Sequence, residues 1–195
     1  SAEAREYLAL AFAFLEPSAR RLIAIGGLSG TGKSTLAAAL APLLAALPGA
    51  VVLRSDLIRK RLFAARPEQR LGAEAYEPAA NRAVYDRLET LAEDGLAAGQ
   101  VVVLDAVFAR AGERARVKAI AHAAHVPFHG LWLEAPPDIL RARIGARVGD
   151  PSDATAAVLD RQLDYDLGAI EWTRVDVSGG HAAVIAQARR ALDGA

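Results

Sequence analysis

The sequence predicts an α/β fold in which helices cover both faces of a parallel β-sheet. Short apolar runs, such as VVVL at residues 101–104, alternate with longer helical stretches along the chain. These runs are apolar throughout rather than at every second residue, which is typical of strands buried on both faces. The chain has 195 residues, the size of a single domain.

Five runs are predicted to be strands because they are short, apolar and bounded by breaking or charged residues. In chain order they are Leu22–Gly26, Ala50–Arg54, Val101–Leu104, Phe128–Glu134 and Trp172–Val177. Helices are predicted where apolar residues recur at helical spacing. These are Lys33–Leu47, Leu57–Ala65, Pro78–Ala98, Gly112–His125, Pro136–Arg147, Asp153–Leu167 and His181–Leu192. Residues 66–77 are polar and predicted to be irregular.

Residues 1–20 are predicted to be a connector and residues 21–195 the folded domain. Glu6–Leu15 has the pattern of an amphipathic helix placed before the first strand. The chain contains no methionine, so Ser1 is not expected to be the native start. Removal of the initiator is one explanation; we favour excision from a longer protein with a covalently fused upstream domain.

Composition excludes several classes of function. The formal net charge is zero, so no overall basic field favours nucleic acid, although a local patch would suffice. The absence of cysteine excludes disulfides, thiolate zinc sites and a cysteine nucleophile. No apolar run approaches the roughly 20 residues of a membrane span, and the charged start is unlike a signal peptide. We expect a cytoplasmic protein without a membrane partner.

The stretch GLSGTGKS at residues 27–34 matches the pattern G-x-x-x-x-G-K-[ST] between a predicted strand and a predicted helix. Its glycines permit the backbone angles that turn successive N–H groups towards a phosphate, and the helix start adds its positive end. We expect Lys33 to reach the β- and γ-phosphates and Ser34 to bind Mg²⁺. The predicted nucleotide-binding residues are Gly27, Ser29, Gly30, Thr31, Gly32, Lys33, Ser34 and Thr35.

This motif predicts a P-loop NTPase fold with ATP and Mg²⁺ as cofactors, and three absences narrow the class. Asn81 is the only asparagine, so the guanine-reading N-K-x-D motif of GTPases is missing. Asp105 suits the acidic position near Mg²⁺, but it is followed by Ala106 where motor-type ATPases commonly place a water-activating Glu. The chain is also too short for the helical lid domain of a ring-forming ATPase. A compact phosphotransferase remains.

Asp56 and Arg59 follow the second strand, in VVLRSDLIRKRL. Ligands bind at the carboxyl ends of strands in open α/β sheets, and Asp56 could there accept the proton of an attacking hydroxyl. It could also cap the following helix. Arg59 lies one helical turn further and could hold an anionic acceptor. Alternatively, it belongs to a solvated helix face with Lys60 and Arg61.

Residues 136–168 are predicted to form a mobile lid. The stretch LRARIGARVGD carries Arg141, Arg143 and Arg147, of which the last two share a helix face. Arginines supplied by a lid stabilise the charge on a transferring phosphoryl group. An ordinary solvent-facing helix is the alternative.

From about Arg21 onward the chain resembles the P-loop kinases grouped with polynucleotide kinase and zeta toxin. More narrowly, it is similar to the predicted AAA-type ATP-binding domain that is often fused behind an aminoglycoside-phosphotransferase-like domain in bacteria. The resemblance is carried by GGLSGTGKST, LRSDLIRKRL, VVVLDAVFAR, GLWLEAPPDILRARIGAR and VDVSGG.

The resemblance implies a five-stranded sheet of order 2-3-1-4-5. It also implies that Asp56–Arg59 is the D-x-x-R unit of polynucleotide kinases, which pairs a general base with an arginine that binds the acceptor phosphate. The lid arginine falls on Arg143 or Arg147, and the nucleoside-contacting loop falls near Ser178-Gly179-Gly180. Ala106-Val107 departs from the Thr-Asn of several relatives, so the acceptor contact of that asparagine is missing.

Together these features predict a kinase that passes the γ-phosphate of ATP directly to an acceptor hydroxyl. The acceptor is either a polynucleotide 5′-hydroxyl, which suits D-x-x-R, or a small sugar or antibiotic-like alcohol, which suits the neutral charge. A regulatory module that hydrolyses ATP slowly and controls a fused domain is the alternative from another class. Tyr76, Asn81 and Tyr85 could cover the acceptor, although tyrosines at helical spacing more often belong to the core.

Overall fold

Five parallel strands form one sheet in the computed structural model of the chain, which describes residues 2–15, 19–146 and 152–194. The strands are β1 (Leu22–Gly27), β2 (Val51–Arg54), β3 (Val102–Asp105), β4 (Phe128–Glu134) and β5 (Thr173–Asp176). They lie in the order β2-β3-β1-β4-β5, and every neighbouring pair is parallel. The predicted fold class and sheet order are therefore confirmed.

All the predicted helices are present in the described residues. They are α1 (Ala2–Leu15), α2 (Lys33–Leu44), α3 (Ser55–Leu62), α4 (Pro78–Ala97), α5 (Ala111–Ala123), α6 (Pro137–Gly145), α7 (Ala156–Leu163) and α8 (His181–Asp193). A short 3₁₀ helix, Ala73–Tyr76, interrupts the segment predicted to be irregular. The α7 prediction was wrong at its start, because the Thr155 side chain caps the helix by accepting from the N–H of Val158. Asp153 therefore precedes the helix and is available for tertiary contacts.

Alternate residues of β1 point to opposite faces of the sheet, and each face is covered by its own helices. Leu22 and Ala24 join a buried cluster with α4 and α5. Ile23 and Ile25 join a second buried cluster with α2 and α8. Because β1 is central and fully buried, the loop that follows it starts from a rigid base.

The carboxyl ends of three strands meet at one edge of the sheet. Asp105 pairs in register with Ile25 on one side and with Arg54 on the other. The segments that follow β1, β2 and β3 therefore emerge side by side, which places the predicted nucleotide and acceptor residues at the same edge.

Helix α1 precedes the sheet and leaves Tyr7, Leu8 and Phe12 exposed. Among the described helices, none combines the length and apolar content that crossing a bilayer requires.

Candidate active site

The phosphate-binding loop joins β1 to α2. Gly27, Gly30 and Gly32 all have positive φ angles (135°, 89° and 82°), which L side chains rarely adopt. At Gly30 the requirement is also steric, because a Cβ would lie 2.7 Å from the carbonyl oxygen of Leu140 in α6. The first helical hydrogen bond of α2 runs from Leu36 N–H to Gly32 O. The N–H groups just before Leu36 therefore have no intrahelical partner and suit a phosphate.

Lys33 lies in the mouth of this loop. Its Nζ donates to the carbonyl oxygens of Gly27 and Leu28, at 2.8 and 3.0 Å. Gly27 itself uses its N–H for the carbonyl of Val107, so it supplies the turn and an anchor for Lys33 rather than a phosphate donor. Gly30, Thr31, Gly32, Ser34 and Thr35 line the cleft described below together with Lys33.

Ser34 and Asp105 are brought together as predicted. The Ser34 hydroxyl donates to Asp105 Oδ2 at 2.5 Å, and Arg54 Nε lies 3.3 Å from the same oxygen. Burial raises the pKa of Asp105, and Lys33, Ser34 and Arg54 oppose this rise without cancelling it. A hydroxyl and a carboxylate side by side are the hard oxygen ligands that Mg²⁺ prefers, so the pair fits the predicted metal.

One cleft of about 940 Å³ connects the phosphate loop with the segments that follow β2 and β3. Asp56 lines it from the first turn of α3 and is half-buried. The alternative interpretation of Asp56 as a helix cap is wrong, because the N-cap position of α3 is Arg54. The carboxylate therefore faces the cleft from inside the helix.

Arg59 also lines the cleft, but its guanidinium is held by the protein. It donates to the carbonyl oxygen of Ala75 and to Oδ1 of Asn81, and it stacks over the ring of Tyr76 at 4.8 Å. Only 7% of Arg59 is exposed, so the predicted solvated face is wrong at this position. Here the arginine fastens the segment 73–81 to α3.

Sequence reasoning missed the neighbouring ion pair between Lys60 and Asp153. Lys60 is 2% exposed, and its Nζ lies 2.7 Å from both carboxylate oxygens of Asp153. The same carboxylate accepts from the Tyr76 hydroxyl at 2.6 Å and from the Leu71 N–H at 3.1 Å. Because Lys60 and Asp153 are 93 positions apart, nothing local in the sequence indicates their contact. We call these four residues the Asp153 latch.

Contacts within the Asp153 latch lower the pKa of Asp153 and raise the pKa of Tyr76. Burial works against charge on Asp153, but the hydrogen bonds from Lys60, Tyr76 and Leu71 hold its pKa below the usual range. Burial and the bond to Asp153 raise the pKa of the Tyr76 phenol. The latch thus joins an ionised carboxylate just before α7 to a neutral phenol at the end of the 3₁₀ helix.

Helices α6 and α7 lie where a lid was predicted, and they meet the phosphate loop at Leu140 and Gln162. Arg143 lines the cleft and donates to the carbonyl oxygen of Val177 at 2.6 Å. Arg141 is exposed and pairs with Asp138 and Asp160, as an ordinary surface arginine would. Arg147 lies outside the described residues, so the choice between Arg143 and Arg147 stays a prediction.

Three cleft residues of α7 were not predicted, Val158, Arg161 and Gln162. Gln162 accepts a hydrogen bond from the Ser29 N–H of the phosphate loop at 2.8 Å. A signal for it existed, because Gln162 follows the buried Leu159 by three residues and so occupies the buried face of α7.

The predicted nucleoside loop follows β5. Gly179 lines the cleft, whereas the N–H of Ser178 donates to Asp176. The loop lies next to the Arg143 contact at Val177, so α6 and this loop bound the same end of the cleft.

The fold and the site together define a P-loop kinase. The chain belongs to the AAA domain family, whose model matches residues 22–166. The predicted class of enzyme is thereby confirmed, while membership of the polynucleotide kinase and zeta toxin group stays a prediction.

Two curated relatives are similar in sequence. An uncharacterized protein of Mycobacterium tuberculosis (strain H37Rv) is 35% identical over 197 residues, which cover 96% of this chain and 38% of that protein. The adenylyl-sulfate kinase of Myxococcus xanthus (strain DK1622) is 34% identical over 127 residues, covering 65% of this chain and 64% of that enzyme. The chain thus spans 38% of the length of the mycobacterial relative.

Solved kinases share the fold. A gluconokinase from Sinorhizobium meliloti 1021 superposes with a TM-score of 0.59 at 20% identity, covering 91% of this chain and 94% of its own. The Mycobacterium tuberculosis APS kinase CysC, in complex with AMPPNP and APS, gives 0.62 at 22% identity, covering 91% and 98%. These likenesses concern the fold and do not identify the acceptor of this chain.

Proposed function

We propose that this domain transfers the γ-phosphate of ATP to a hydroxyl of a small polar molecule, such as a sugar or an amino sugar. The observation that carries the proposal is that Asp56 lines the same cleft as the phosphate loop and the Ser34–Asp105 pair. A carboxylate in that place can take the proton of an attacking hydroxyl.

Each part of the cleft then has a role. The loop N–H groups and Lys33 bind the β- and γ-phosphates, and Ser34 and Asp105 hold Mg²⁺. The ion, when bound, neutralises charge on the phosphate oxygens. Asp56 orients and deprotonates the acceptor hydroxyl, and Arg143 or Arg147 approaches the transferring group. The phosphoryl group passes directly from ATP to the acceptor oxygen, and ADP leaves.

The charges on the acceptor side favour a small polar molecule over a nucleic acid end. In the segments that follow β2 and β3, the cleft is lined by three carboxylates, Asp56, Glu77 and Glu113, and by two arginines, Arg59 and Arg110. Arg59, which the D-x-x-R pattern assigned to an acceptor phosphate, is already engaged by Ala75 and Asn81. A polyanionic strand would meet repulsion there, whereas hydroxyl or ammonium groups would find acceptors. Adenylyl-sulfate kinase and gluconokinase, by their names, also act on small molecules.

We propose further that the domain works inside a longer chain, behind an aminoglycoside-phosphotransferase-like domain. The resemblance of the sequence supports this arrangement, and so does the greater length of the mycobacterial relative. Helix α1, with its exposed apolar side chains, would serve as the connector.

The test is ADP release from ATP·Mg²⁺ in the presence of single acceptors. The panel contains sugars, amino sugars, adenylyl sulfate, nucleosides and 5′-hydroxyl oligonucleotides, with a sample that lacks any acceptor. We expect a small polyol or amino sugar to stimulate turnover, and Asp56→Ala to lower that stimulated rate by about 10²–10⁴-fold. AMPPNP affinity should stay the same, because Asp56 lies outside the phosphate loop. Asp94→Ala is the matched control, since Asp94 is exposed on α4 and does not line the cleft.

Three results would contradict parts of the proposal. Stimulation by oligonucleotides alone would restore the polynucleotide acceptor. Equal turnover with and without every acceptor would favour the regulatory module that hydrolyses ATP slowly. Stimulated turnover that survives Asp56→Ala would remove Asp56 as the base. Lys33→Ala does not separate these functions, because all of them need the nucleotide.

A further inference from the structure

Gln162 makes a direct and buried contact between α7 and the phosphate loop. Its Oε1 accepts from the Ser29 N–H at 2.8 Å, and each of the two residues is only 7% exposed. Both also line the cleft. A side chain 133 positions away in the chain therefore occupies a backbone donor of the loop whose donors cradle phosphates.

This contact is supported by packing on both sides. Leu159, on the same face of α7 as Gln162, packs with Leu140 and Ile144 of α6. The backbone of α6 in turn approaches Gly30 so closely that a Cβ there would collide with Leu140 O. The two helices and the loop thus form one assembly, and Gln162 is its polar contact at the loop.

The carboxamide of Gln162 occupies a position where a phosphate oxygen could also bind, because both groups can accept from the Ser29 N–H. Its oxygen is a neutral acceptor, so an anionic phosphate oxygen would form the stronger, charge-assisted bond with the Ser29 N–H. The same side chain carries two N–H donors on Nε2, directly beside Oε1. Once its acceptor is displaced from Ser29, the carboxamide has donors for the anion that replaced it.

We propose that Gln162 is a binding residue by which α7 distinguishes ATP from ADP. The terminal phosphate of ATP takes the Ser29 N–H and receives an N–H from Gln162 Nε2, so that α7 binds the triphosphate directly. ADP ends one phosphate earlier and leaves Gln162 bound to Ser29. The inference rests on the proposed function because it concerns the nucleotide of that same site.

The test is calorimetric binding of AMPPNP·Mg²⁺ and ADP·Mg²⁺ to the 195-residue chain. Gln162→Glu keeps the shape and the acceptor, removes the donors and adds a negative charge. We expect AMPPNP to bind at least about tenfold more weakly, while ADP affinity changes less than about twofold. Gln100→Glu, at an exposed position outside the cleft, controls for the added charge.

Gln162→Met offers a second, uncharged variant of similar length. It lacks the N–H donors, so we expect the ratio of AMPPNP to ADP affinity to fall by about threefold or more. ADP binding also reports whether each variant is folded. Equal weakening of both nucleotides, or no change in either, would overturn the proposal and leave Gln162 as a packing contact.

These outcomes are separable from those of the acceptor assay because nucleotide affinity needs no acceptor. Acceptor-stimulated turnover with an unchanged affinity ratio in Gln162→Glu would overturn the role of Gln162 alone. A changed ratio in a chain that no acceptor stimulates would overturn the kinase proposal alone.

Discussion

The two sides of the cleft differ in the contacts that hold them. The donor side is formed by the phosphate loop, and the acceptor side by α3 and the residues that it contacts. On the donor side, Lys33 and Thr31 make local contacts, because Lys33 bonds to Gly27 and Leu28, and Thr31 bonds to Leu28. The loop also reaches distant residues, through Ser29 to Gln162 and through Ser34 to Asp105. On the acceptor side, the contacts span long separations, as in Arg59 to Asn81 and Lys60 to Asp153. The backbone of the donor side is therefore shaped mainly by a continuous motif, whereas the acceptor side is shaped by tertiary packing.

Because of this difference, we expect substitutions on one side to affect the reaction and substitutions on the other side to affect folding stability. A loop that is stabilised by its own glycines and its adjoining strand can lose a functional side chain and stay folded. A surface that is held by buried ion pairs and hydrogen bonds is destabilised by the same kind of loss, because removing one partner leaves the other buried without its ion pair or hydrogen bond. Substitutions on the donor side should therefore lower activity, and substitutions on the acceptor side should lower the free energy of unfolding.

Lys33→Ala should have the largest effect on activity. Without the ammonium group, transfer to the best acceptor should fall by at least about 10²–10³-fold, as for other groups that stabilise transition-state charge. The urea-unfolding free energy should change by less than about 1 kcal/mol, because Lys33 is only partly buried and its hydrogen bonds are local. A cooperative loss of stability would show that the donor side also depends on tertiary contacts.

Asp153→Ala should have the largest effect on stability. It leaves the buried Lys60 ammonium without its carboxylate, which costs about 3–5 kcal/mol by comparison with other broken buried pairs. Lys60→Met removes the buried charge together with its need for a partner. Asp153 then keeps its bonds from Tyr76 and Leu71, so this variant should lose less. Urea unfolding of both variants provides the measurement.

Asp160→Ala is the control for this comparison, because the Arg141–Asp160 pair between α6 and α7 is exposed and should contribute at most about 1 kcal/mol. If Asp153→Ala and Asp160→Ala cost the same, the Asp153 latch does not stabilise the fold. If Lys60→Met costs more than Asp153→Ala, the bond that Lys60 also donates to the carbonyl oxygen of Gln69 contributes more to stability than the carboxylate does.

The sequence predicted the donor side better than the acceptor side. The phosphate loop, Ser34 and Asp105 were placed correctly because a motif and the end of a buried strand determine their positions. Arg59 was placed beside the cleft, but its partners Ala75 and Asn81 lie in a segment without a regular pattern. Lys60 looked like one of three solvated charges, and only the structure shows that it is buried against Asp153.

The start of α7 also shows where prediction from sequence fails. The α7 prediction included Asp153 because its neighbours favour a helix. The helix is capped by Thr155 and starts at Ala156, three residues later, so that Asp153 lies outside it and meets Lys60. Hydrophobic periodicity predicts which face of a helix is buried, but it cannot show which distant polar group a residue just outside the helix will contact.

The pH dependence of stability should have opposite signs on the two sides, and it is the smallest of the expected effects. Asp153 has a folded-state pKa below its usual value, so its contribution is complete above about pH 4 and is lost as the pH falls through the folded pKa. Asp105 has a raised folded-state pKa, so its ionisation destabilises the fold increasingly as the pH rises above about 4.

Urea unfolding between pH 3.5 and 7 would measure this contrast, with the wild-type chain compared with Asp153→Asn and Asp105→Asn. The stability deficit of Asp153→Asn should shrink as the pH falls below about 4. The stability of Asp105→Asn relative to wild type should instead improve as the pH rises, because the variant lacks the buried charge. Parallel profiles for the two variants would contradict the division. The buried carboxylate of Asp105 would then be as well stabilised in its charged form as the carboxylate of Asp153 is.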